Sequence, residues 1–127
     1  MMTNAIITVT ARNKMLRARA GEINLPKIVG FVFGNGGVDE NGAVLTPPEE
    51  QTALKGELLR KEIDSYTFVS STKCMYECTL QPSELVGENI SEIALYDEDG
   101  DLVAIKNFMA KGKDSDLEMK FQMNDEF

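Results

Sequence analysis

ISEIALYDEDGDLVAIKNFMAKGK, residues 90–113, is the stretch on which the reading of this chain turns. Two apolar runs flank an acidic tip made of Asp97, Glu98, Asp99 and Asp101, interrupted by Gly100. If Glu98, Asp99 and Gly100 form a three-residue loop with the glycine left-handed, the two runs become the strands of one hairpin. That register sets Leu95 against Val103 and Ile93 against Ile105 on one face. On the other it sets Tyr96 against Leu102, Ala94 against Ala104, Ile90 against Phe108 and Glu92 against Lys106. A two-residue Asp99-Gly100 turn would bring Ile93 opposite Lys106, a poor match, so the longer loop is expected.

The carboxylates of the tip invite two chemical readings, and spacing argues against both. A calcium loop of the helix-loop-helix type needs glycine at its sixth position and glutamate at its twelfth, whereas here glycine arrives fourth counting from Asp97. Acid-base catalysis needs carboxylates in a cleft that drives their pKa values apart, which a solvated hairpin tip does not supply. A turn is the expectation, with no catalytic residue and no metal ligand assigned. Both faces of the hairpin are apolar. One can pack on the helices of the domain, and the other needs cover from the same chain or from another subunit.

The remaining composition sets the limits. A chain of 127 residues, 43% hydrophobic and 27% charged, is expected to fold as a single domain spanning 1–127. Its net charge of −8 disfavours nucleic acid as a partner. The charge is lopsided: Arg12, Lys14, Arg17 and Arg19 stand in an N-terminal stretch without acids, while most carboxylates follow Gln81. No run reaches the roughly 20 apolar residues that span a bilayer, and Met1–Thr10 lacks the pattern of a signal peptide. Synthesis and retention in a cytoplasm are therefore expected. With no histidine and only Cys74 and Cys78, a zinc site lacks ligands. Those two cysteines sit four apart in an alternating strand, about 13 Å from one another and beyond disulfide reach. They read as buried thiols.

Along the chain, Ala5 to Thr10 reads as a short strand, and Thr10 as the cap of a helix through ARNKMLRARAG with Ala11, Met15 and Ala18 inward and Gly21 as its stop. KIVGFVF is a strand with Val29, Phe31 and Phe33 on one side, and GNGGVDENG a loop. That loop lacks the Lys-Ser or Lys-Thr pair of a phosphate cradle. Thr46, Pro47 and Glu49 compose a capping-box start for a second helix through EEQTALKGELLRKEI, with Leu54 and Leu58 inward. Gly56 weakens that helix and suggests close approach of another backbone. From Ile63 on, SYTFVSS, TKCMYECTL, ISEIALY, LVAIKNF and LEMKFQM are strands. The last places Leu117, Met119, Phe121 and Met123 on one face. The fold class expected is α+β, a mainly antiparallel β-sheet with about two α-helices.

Several ordered features resemble the N-terminal domain of the phage tail-collar fibre family. They are Gly34-Asn35-Gly36, Thr52-Ala53-Leu54 with Glu57 and Arg60, and above all Ser91-Glu92-Ile93-Ala94-Leu95-Tyr96-Asp97, Gly100 and Leu102-Val103-Ala104-Ile105. Asn35, Ser91 and Ala94 stand where that family usually has aspartate, arginine and glycine. The resemblance runs from about Thr10 to Phe121. It implies a structural, non-enzymatic component of a phage or prophage-like contractile tail, located in the particle and made in a bacterial host. Such a domain anchors a fibre, usually a homo-oligomeric trimer, to a baseplate protein, with no cofactor. Under this reading the contact residues are Arg12, Lys14, Arg17 and Arg19 on the basic helix and the apolar edge of Tyr96, Leu102 and Phe108. A different class, a small module holding a cation or glycan with the GNGGVDENG loop and the acidic tip, is the alternative. An enzyme built on Asp99, Asp101 and Cys74 is the least supported, because thiolate chemistry wants a cationic neighbour and exposure.

Overall fold

The computed structural model describes residues 5–127. Among them lie eight strands and one helix: β1 (Ala5–Ile7), α1 (Val9–Arg19), β2 (Ile28–Gly34), β3 (Glu57–Glu62), β4 (Ser65–Ser70), β5 (Lys73–Leu80), β6 (Asn89–Asp97), β7 (Leu102–Gly112) and β8 (Met119–Glu126). The strands form a five-stranded sheet ordered β1-β7-β6-β2-β3 and a three-stranded sheet ordered β4-β5-β8, with every pairing antiparallel.

The alternation of side chains explains how the sheets stack. Phe31, Phe33, Ile93 and Leu95 from the larger sheet meet Cys78, Leu80, Phe121 and Met123 from the smaller one in a single buried cluster. This is the interior of a sandwich. Phe33 and Phe121 pack edge to face across it, ring centroids 5.1 Å apart. At the side, the Lys61 ammonium on β3 donates to the Thr79 carbonyl at 2.6 Å and to the Glu84 carboxylate at 2.6 Å, tying the two sheets together.

The opposite face of the larger sheet is also apolar, and the chain covers part of it itself. Val32, Ala94, Leu102 and Ile105 are buried there together with Leu54 from the connection between β2 and β3. The expected inward position of Leu54 therefore holds, but its element does not. Residues 46–56 are irregular, and the stretch read as the second half of a helix is β3. The α-content is one helix instead of about two, and the class is mainly β. The capping pattern at Thr46–Glu49 is a local signal, and the contacts that claim Lys55 and Gly56 come from far along the chain.

The first helix forms with a shifted start. Thr8, not Thr10, is the N-cap, accepting from the Ala11 N–H at 3.1 Å. Ala11, Lys14, Met15 and Ala18 face inward, and Gly21 with φ of 83° follows the C-cap as anticipated. Arg17 and Arg19 in the last turn suit the helix dipole.

At the hairpin tip the three-residue loop is present. Gly100 has φ of 87°, its N–H donates to the Asp97 carbonyl at 2.8 Å, and the Asp97 N–H donates to the Asp101 carbonyl at 3.0 Å. Tyr96 pairs with Leu102 as expected. Beyond that pair the register departs: a bulge sets Leu95 opposite Ala104, Ala94 opposite Ile105, Ile93 opposite Lys106 and Glu92 opposite Asn107, and a second irregularity sets Ile90 opposite Lys111. Val103 is the extra residue. It lets Val103 and Ala104 both join the sandwich interior, while Leu102 and Ile105 reach the opposite cluster. A flawless alternation cannot do this, which is why the sequence pattern misled.

Candidate functional site

Three acidic side chains of the tip do converge. One oxygen each of Asp97, Asp99 and Asp101 lies within 4.8 Å of the others. The space between them is taken by an ammonium. Lys14 Nζ stands 2.7 Å from Asp97 Oδ2, 3.1 Å from Asp99 Oδ2 and 2.8 Å from Asp101 Oδ2. Asp97 is the inner member, its side chain only 3% exposed, and its other oxygen accepts from the Asp99 and Asp101 N–H groups. Burial works against the Lys14 charge, but hydrogen bonds to Asp101, Asp97 and Asp99 outweigh it and hold the ammonium above its ordinary range. The tip is thus a clamp that fastens helix α1 to the β6–β7 hairpin. Sequence reasoning set Lys14 among the outward contact residues of the basic helix; in the structure its ammonium is turned inward and engaged by the three aspartates. The signal was available in the match between an acid-free basic helix and a dense acidic turn.

A second carboxylate is used in the same internal way. Glu92, 1% exposed, accepts from the N–H groups of Gly36 at 2.8 Å, Gly56 at 2.7 Å and Lys55 at 3.1 Å. It does not pair with Lys106, as the sequence register had it. Its neighbour Ser91 accepts from the Gly37 N–H at 2.9 Å. The glycines make this possible, since a Cβ on Gly37 would lie 2.0 Å from the Ser91 carbonyl and one on Gly56 would lie 2.0 Å from Asn35 Oδ1. The close approach expected at Gly56 is real. The rest of the Gly-rich loop is also tied down, because Asp39 accepts from the Asn41 and Ala43 N–H groups at 2.8 and 2.9 Å.

The remaining site candidates scatter. Arg12 pairs with Glu49 and Arg17 with Glu22, both on the surface, and Arg19 is exposed in the last turn of the helix. Leu102 is 2% exposed and belongs to the core. Tyr96 is half-buried against the backbone of Gly30, with the Arg60 guanidinium 5.2 Å from its ring centroid. Phe108 is half-buried and tilted on Phe121. These three do not form one exposed edge. Cys74 and Cys78 are both buried, and burial pushes the Cys78 thiol up to about 11.

Sequence reasoning missed the open end of the sandwich. There the inner face of the smaller sheet runs past its cover, and a groove of about 420 Å³ is left between Tyr66, Phe68 and Tyr76 on one wall and Met15, Leu25 and Ile28 on the other. Strand β4, at the edge of its sheet, is exposed throughout. No side chain of Ser65–Ser70 carries a charge.

Compared with known families, the chain matches the profile of the phage tail-collar fibre protein N-terminal family over residues 1–124. The chain belongs to that family. The tail-collar fibre signature accordingly acquires a physical meaning: Glu92 organises the Gly-rich loop, and Asp97 with Gly100 builds the clamp. No curated protein and no solved structure matches the chain. Membership places it among the structural proteins of phage tails. Among the described residues, no helix is long and apolar enough to cross a membrane.

Proposed function

We propose that residues 1–127 act as a single attachment domain, anchoring a tail fibre to the baseplate of a contractile, phage-like tail through protein contacts and assembling with copies of itself as a trimer. The observation that carries this reading is the family match over nearly the whole chain. The geometry supports a mechanical role, because the carboxylates of the tip are gathered around Lys14 and the Gly-rich loop spends the N–H groups of Gly36 and Gly37 on Glu92 and Ser91. The same contacts weigh against a cation or glycan module, whose donors and acceptors would have to be free. An enzyme built on Asp99, Asp101 and Cys74 is disfavoured as well, since the Cys74 thiol is buried and both carboxylates are engaged by Lys14. Arg12, Arg17 and Arg19 remain the basic contact residues proposed for assembly, with Phe108 as a partly exposed apolar one.

The test is a tagged chain expressed in cells that produce the particle. Purified tails should carry it, with gold label at the baseplate end. Label distributed along the tube, or tails free of the tag, would overturn the reading. Light scattering of the isolated chain reports its self-assembly separately.

A further inference from the structure

We infer that the cleft between strands β7 and β8 is the docking site for an acidic segment of a partner protein, one that carries apolar side chains among its carboxylates and belongs to a body that is not itself strongly acidic. This deepens the anchoring reading, on which only the partner's place in the tail rests.

Three observations converge on that occupant. The first is charge. A cleft of about 540 Å³ is lined by Lys106 and Lys111 from β7 and Lys120 from β8, and by no acidic residue, in a chain with 21 acids against 13 bases. Among the described residues none of these three lysines is in an ion pair, whereas Lys14 and Lys61, which fasten the fold, both are. Like charges around one cleft repel each other, and the carboxylates of an incoming segment would relieve that repulsion. The second is the placing of the lysines. Guarding an open edge would account for Lys120, on the last strand of its sheet. It does not account for Lys106, half-buried on the inner strand β7 with Ala5 and Ile93 as its cross-strand neighbours, nor for Lys111, whose ammonium stands 6.0 Å from the Phe108 ring centroid. The third is the apolar lining. Phe108 and Met119, both half-buried, share the cleft with the three ammonium-bearing chains. An inorganic anion or a sugar phosphate leaves that surface uncovered, and a peptide with leucine among its acids covers it. A second copy of this chain brings its own net charge of −8 into the encounter, and an acidic segment on a neutral or basic protein does not.

The probe is a capped peptide, acetyl-ELDELE-amide, titrated into the isotope-labelled full chain and followed by amide NMR. The expected result is shifts concentrated in residues 106–111 and 119–122, with the peptide in which every acid is replaced by its amide, acetyl-QLNQLQ-amide, weaker by about tenfold. Lys111→Gln and Lys120→Gln, both at exposed side chains, should each weaken the acidic peptide about threefold and leave the rest of the spectrum intact. Absence of shifts at millimolar peptide would overturn the inference, as would equal affinity of the two peptides or shifts centred on Arg12, Arg17 and Arg19. Tripolyphosphate binding in the cleft more tightly than the acidic peptide would make a phosphate the ligand and overturn it. A mass that rises with concentration and is restored to monomer by Lys120→Gln would make a second copy the occupant and overturn it too. If the peptide fails but the tagged chain still reaches tails, this inference falls and anchoring stands. If the peptide binds but tails lack the chain, anchoring falls and the cleft remains a site for acidic peptides.

Discussion

Two regions of the molecule, the β6–β7 hairpin and the groove that borders its tip, treat carboxylates in opposite ways. At the hairpin tip, and around Glu92 farther along β6, every buried carboxylate oxygen meets a lysine or a backbone N–H. At the groove, Asp125 sits half-buried with nothing to accept from among the described residues. The first arrangement is what a fold requires, since an unpaired buried acceptor costs more than a made hydrogen bond returns. The second costs less, because Asp125 is only partly buried. Carboxylate pairing thus sets the hairpin apart from the groove.

The sharpest way to break this contrast is to create an unsatisfied site at the well-paired Glu92. Glu92→Ala strands the N–H groups of Gly36, Lys55 and Gly56, and is expected to cost about 3–5 kcal/mol in urea unfolding, at 1–3 for each lost partner with some rescue by water. A loss under about 1 kcal/mol would show that the hub is ornamental. Gly37→Ala attacks the same region through sterics. Its Cβ meets a backbone carbonyl, so the loop must move, at about 2–3 kcal/mol by the same assay. Lys14→Met should follow at about 1–3 kcal/mol, because Asp97 is left buried without its cation while Asp99 and Asp101 regain water.

The Lys14 effect carries a pH signature. A lysine raised in the folded state contributes fully below its unfolded value, about 10.4, and loses that contribution only as pH climbs through the folded value. The stability gap between the parent chain and Lys14→Met should therefore be unchanged from pH 7 to 10 and shrink only in stronger alkali. A gap that closes near neutrality would refute the clamp. The smallest effect belongs to Asp125→Asn. Its carboxyl is raised by burial, so ionisation burdens the folded state increasingly as pH rises from the unfolded value near 3.9 through the folded one. The substitution should raise the melting temperature slightly at pH 7 and leave it unaltered at pH 3. A destabilising result would mean that Asp125 has a partner after all.

What could be read from residues alone follows the range of the forces involved. The strands from Ser65 onward, the left-handed Gly100 and the inward stripe of Ala11, Met15 and Ala18 are set by near neighbours, and they were legible. The second helix failed because Thr46, Pro47 and Glu49 satisfy a local rule, while the N–H groups of Lys55 and Gly56 are drawn to Glu92, 37 and 36 residues away. Lys14 and its three aspartates were visible separately but not as a unit, since contact across more than 80 residues leaves no periodic trace. The groove left no pattern at all, because it arises where one sheet outruns the other.

The bulge at Val103 reaches beyond the sheet. The carbonyls of Leu102 and Val103 receive the Thr8 hydroxyl, at 2.7 and 3.3 Å, and the Val103 carbonyl also receives the Thr8 N–H at 3.0 Å. Excising that one residue would leave both rows of side chains on their proper sides yet remove two of the three hydrogen bonds by which Thr8 holds the hairpin. The irregularity that sorts side chains between two cores thus also fixes where the helix begins.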